Sequence, residues 1–109
     1  MPDSPDVELA FVAAPDAETA ARIARALVEE RLAACVNVLP GVTSIYRWKD
    51  SVETASEAVL LVKTRADRGP ALEARVRELH PYEVPEIVRV SVSGGSAPYL
   101  EWVRTEAAP

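Results

Sequence analysis

The chain has 109 residues, enough for one modest core and no second domain. Apolar residues make up 49% and charged residues 27%, an ordinary composition for a soluble globular protein. The net charge is −5 and the basic residues are scattered rather than clustered, which argues against a nucleic-acid backbone as partner.

The segment MPDSPD lacks a basic start and an apolar stretch, which argues against a secretory signal, and residues 1–5 are expected to form a loose tail before a single domain over 6–109. VELAFVAA (7–14) is compact and apolar and ends at Pro15, so it reads as the first strand. Asp16 follows as a helix cap, and Ala20, Ile23, Ala24, Leu27 and Val28 repeat at helical spacing within 17–33. The only cysteine, Cys35, opens the β-rich stretch CVNVLPGVTSIYRWK, in which Pro40-Gly41 marks a bulge or bend. A lone cysteine forms no intrachain disulfide, and a reducing, cytoplasmic setting is the simplest expectation. Beyond the bend, Val42, Ser44, Tyr46 and Trp48 share one face, and Thr43, Ile45 and Arg47 the other.

After a turn at Lys49-Asp50-Ser51 the chain returns as VETASEAVLLVKT (52–64), whose apolar run AVLLV is far short of the ~20 residues that cross a bilayer. Asp67 opens a second helix with Leu72, Val76 and Leu79 as its apolar stripe, and Pro81 stops it. EIVRVSVS (86–93) is the last strand, and APYLEWVRTE (97–106) a short C-terminal helix. The order β-α-β-β-α-β plus one helix predicts an α+β, ferredoxin-like fold with a four-stranded antiparallel sheet.

The hairpin over 35–64 is too long for that fold. Its first arm of fifteen residues would extend ~50 Å if straight. A globule of this size has a radius of gyration near ~13 Å. The arm must bend, project, or both, and Tyr46 and Trp48 would then be left wet in a lone subunit. Contact with another chain accounts for them; folding back onto their own sheet is the competing reading.

Together, LAACVNVLPGVTSIYRWKDSVE (32–53), the run from Glu57 to Thr64, HPYEVPEI (80–87) and YLEWV (99–103) resemble the CutA divalent-cation-tolerance family, and APDAETA (14–20) matches its first loop and helix start. The resemblance covers about Val7 to Val103. It implies a PII-like homotrimer with interlocking hairpins, for which Tyr46, Trp48, Tyr82 and Trp102 are the expected interface residues. It further implies no required cofactor, no defining enzymatic activity, and copper(II) or another divalent cation as ligand. Ligand positions proposed for a bacterial relative fall here on Val12, Leu79 and His80, and only His80 keeps a ligating side chain.

Each candidate residue has a plainer reading beside the functional one. His80 is the only histidine; with Glu83 and Cys35 it offers metal donors, or alone a proton carrier, while His80-Pro81 also simply ends a helix. Cys35 sits among apolar neighbours, as a small buried side chain does. Glu53, Glu57 and Asp50 make an acidic rim that either attracts a hard cation or pairs with Arg47 and Lys49. Lys63, Arg65 and Arg68 stand where the third strand enters the second helix, an anion site or ordinary surface charge. RNA recognition would need stacking aromatics on the third strand, which has none. Acylphosphatase-like catalysis would need an arginine after the first strand, which is missing, and nothing brings Cys35 and His80 together for a Cys–His hydrolase. Two functions remain: a trimeric, non-enzymatic divalent-cation-binding protein, and a PII-like scaffold or sensor that takes a small anion or a partner protein in its subunit clefts.

Overall fold

A computed structural model describes residues 5–109. The tail expected over 1–5 thus falls largely on residues 1–4, outside the described residues. Strand β1 (Val7–Ala14) lies between β3 (Ser51–Arg65) and β4 (Ile87–Ser91), and β2 (Cys35–Trp48) pairs with β3 at the sheet edge. All pairings are antiparallel, in the order β2-β3-β1-β4. This is the ferredoxin-like arrangement expected from the sequence.

Helix α1 (Ala17–Glu29) begins where the Asp16 carboxylate accepts the Thr19 N–H at 2.7 Å. That bond holds the Asp16 carboxyl below its ordinary range. Ala20, Ile23, Ala24 and Leu27 face inward as the periodicity required, whereas Val28, expected in the same stripe, is exposed at the helix end. The helix stops before the expected residue 33. Arg31 takes a left-handed φ of 59°, the Leu32 N–H returns to the Leu27 carbonyl at 2.9 Å, and the Arg31 N–H to Val28 at 3.1 Å. This is a Schellman end with arginine where glycine is usual, so the sequence carried no stop signal.

Before α2 (Gly69–Leu79), residues Ala66–Arg68 form a 3-10 turn at the Asp67 boundary. Leu72 and Val76 anchor α2, and the His80 N–H closes its last turn on the Val76 carbonyl at 2.8 Å. Strand β4 is shorter at both ends than the expected 86–93. Helix α3 runs from Ala97 to Glu106, as predicted.

Alternation sends Ala10, Val12, Ala58, Leu60 and Val62 toward α1 and α2, where they join Ile23, Leu27, Leu72 and Val76 in the main core. Glu8 points the same way and is buried with them, held by Arg89 at 3.0 Å, while Arg89 also reaches Glu73 at 2.9 Å. On the other face, α3 packs Val103 and Ala107 against Val7 and Ala34 in a smaller cluster. Val88 and Val90, of the same parity as that face, are close to half exposed.

The bulge expected at Pro40-Gly41 is present: the register shifts between Leu39 and Val42, and Gly41 has φ 68°. Lys49 and Asp50, both left-handed at φ 49° and 66°, make the two-residue turn that joins the Trp48–Ser51 pair. The hairpin carries the molecule to 48 × 25 × 22 Å. The arm therefore projects.

Candidate functional site

Where the arm leaves the sheet, its inner face and the connector from α2 to β4 enclose an open cleft of about 960 Å³. Ser44, Tyr46 and Trp48 line one side and Glu57 the floor; Tyr82, Glu83, Val84 and Glu86 line the other. The bulge puts Val42 opposite Glu57, and alternation turns Ser44, Tyr46 and Trp48 to this side, while Ile45 between them also borders the cleft.

His80 builds the connector wall. Its Nδ1 accepts the Tyr82 N–H at 3.1 Å, so the proton belongs on Nε2, which donates to the Ala13 carbonyl at 2.7 Å. The ring is buried and lies 4.7 Å from that of Tyr82. Both nitrogens of this neutral imidazole are thus engaged within the chain, and a metal would have to displace one of these bonds. Tyr82 in turn donates its hydroxyl to Glu57 at 3.2 Å, tying connector to arm. Burial, and then the Glu57 carboxylate, push the Tyr82 phenol above its ordinary value.

The remaining candidates are dispersed. Glu83 lines the cleft and is exposed. Cys35 is half-buried rather than fully enclosed, because it starts the edge strand β2. The Tyr99 hydroxyl lies beside it, and burial followed by the cysteine raises that phenol. Trp102 stacks near Tyr99 at 5.6 Å on α3 and does not line the cleft. Lys63 bonds Asn37, Arg65 grips Asp67 at 2.6 and 3.0 Å, and Arg68 reaches the Arg31 carbonyl at 3.3 Å. Among the described residues, no three His, Cys, Asp or Glu side chains converge to hold a metal ion. No helix among them is long and apolar enough to cross a membrane.

Two features were missed in the sequence. The Tyr82–Glu57 bond spans 25 positions and leaves no local trace. The Glu8–Arg89 pair did leave one, since Glu8 falls on the core-facing parity of β1 and a charge there needs a partner.

A sequence model of the family described as CutA1 divalent ion tolerance protein matches residues 8–106. The chain belongs to the CutA1 family. Over 97 residues it is 53% identical to the divalent-cation tolerance protein CutA of Thermus thermophilus, covering 89% of this chain and 94% of that one. It is 51% identical over 98 residues to human protein CutA, covering 90% of this chain but only 55% of the human protein's length. Among solved structures, CutA from Xylella fastidiosa superposes with a TM-score of 0.90 at 49% identity, covering 94% and 98% of the two chains. None of these names specifies a reaction.

Proposed function

We propose that this CutA1-family chain is a non-enzymatic, homotrimeric divalent-cation-binding protein of the cytoplasm, taking copper(II) or a similar ion and contributing to metal tolerance. The observation that carries the reading is the cleft. Glu57, Glu83 and Glu86 line it at separate points, without a basic side chain in its lining. None of the three forms an ion pair among the described residues. Uncompensated carboxylates in a concave wall concentrate cations. Hard oxygen donors from more than one copy supply the number of ligands that one chain lacks.

A binding role without catalysis is supported by His80, whose two nitrogens are committed to Ala13 and Tyr82 and leave no free base. The small-anion alternative has less behind it, because Arg65 and Arg68 direct donors to Asp67 and the Arg31 carbonyl.

Calorimetric titration with Cu(II), Zn(II) and ATP tests the reading. Saturable uptake of a metal at a fixed ratio per chain, weakened in Glu83→Gln, is expected. Uptake of ATP with no metal bound would transfer the function to the anion-binding alternative.

A further inference from the structure

Arg89 is out of place in the pattern of its strand. In β4, Ile87 stands across from Val12 and Arg89 across from Ala10, so both turn to the face that carries the main core. A charge at that position needs answering charges, and it has two. Nη1 of Arg89 donates to Glu73 of α2 at 2.9 Å, and its Nε lies 3.0 Å from Oε1 of Glu8 on β1. Glu8 is buried, and its Oε1 has no aligned hydrogen bond among the described residues, so the nearby guanidinium charge is what compensates it.

Gly69, at the start of α2, is the second oddity. Its φ of −54° and ψ of −51° are open to every residue, and alanine is the better helix former. Space explains the glycine instead. A methyl group at Gly69 would overlap Nη1 and Cζ of Arg89 and come within 2.8 Å of its Nε. The bare backbone is a seat on which the flat guanidinium rests between its two carboxylates.

We propose that Arg89, seated on Gly69, is a clasp that closes the neck of the connector and holds the cleft wall in place. Helix α2 ends at Leu79 and β4 begins at Ile87, so the Arg89–Glu73 pair joins the element before the connector to the element after it. Glu8, on the central strand β1, anchors the pair to the sheet. Between these stems the connector is thinly held. Its ties are the Tyr82 N–H on His80 and the Tyr82 hydroxyl on Glu57, and Val84 is 86% exposed. It nevertheless supplies Tyr82, Glu83, Val84 and Glu86 to the cleft. Segments with so few contacts open locally unless their ends are fixed. A guanidinium suits the task, because its planar fork reaches carboxylates on two elements at once, whereas an ammonium is a point charge. The clasp holds this wall whatever the cleft binds.

Amide hydrogen exchange by NMR and urea unfolding test the clasp. The chains are the wild type, Gly69→Ala, Arg89→Lys, and the double variant Glu8→Ala/Arg89→Ala with and without Gly69→Ala. In the wild-type background Gly69→Ala should lower the urea midpoint, because the guanidinium is driven off its carboxylates. In the double variant, where the seat is empty, the same change should raise it, since only the helix preference of alanine remains. The Tyr82 amide should exchange about tenfold faster or more in Gly69→Ala and in Arg89→Lys, while Leu27 in α1 changes less. A Gly69→Ala change that stabilises both backgrounds alike shows that Arg89 moves aside freely, and overturns the seat. Folded Gly69→Ala and Arg89→Lys with Tyr82 exchange unchanged overturn the hold on the connector, and these two decide that question even where the double variant does not fold.

Discussion

His80 shows how far one residue can be read in advance. The prolines around it identify a helix end, and the structure agrees: its N–H closes α2 and the chain leaves in an extended conformation. Invisible in the sequence were the Ala13 carbonyl and the Tyr82 N–H that hold its ring, the first of them 67 positions away. These bonds turn a helix terminator into the support of the cleft wall. His80→Ala leaves a buried carbonyl and an N–H without partners, which costs about 1–3 kcal/mol. Urea unfolding should record that loss, and it should exceed the loss in Tyr82→Phe, which removes only a partly exposed hydroxyl. Equal losses would mean that the imidazole bonds contribute little.

At the scale of elements, the strands, helices and bulge were legible because their signals are local. Asp16 caps, Pro81 stops, Gly41 bends, and apolar residues alternate or recur every third or fourth position. The end of α1 was not legible. Arg31 adopts the left-handed conformation without the glycine that would announce it, and Leu32, buried beside the core, holds the turn in place. Placing an L side chain there carries strain that glycine avoids. Arg31→Gly should therefore stabilise the fold by roughly 0.5–1 kcal/mol, less the contact of its guanidinium with the Glu106 carbonyl at 3.3 Å. A rise in melting temperature checks this, and a fall would show that the guanidinium contact outweighs the backbone strain. The length of β2 and β3 was equally plain in the sequence, since no breaker interrupts either strand beyond the bulge.

For the whole molecule, strand length carried most of the information. A ribbon of two strands of 14 and 15 residues cannot lie flat on a body 25 × 22 Å in its shorter dimensions. It projects, and it takes Trp48, 59% exposed, Tyr46 and Val52 into solvent. The sequence revealed that mismatch but not the cleft, because the cleft exists only where the arm meets the connector after α2. Its two walls are brought together by Tyr82 and Glu57 across the fold. The exposed aromatics and the open sheet face are what the proposed assembly of copies would cover. The decisive measurement is the mass of the wild-type protein in solution at micromolar concentration, by light scattering. Assembly into a ring of three predicts a mass near three times the 11.8 kDa of one chain. A stable species of 11.8 kDa would contradict it.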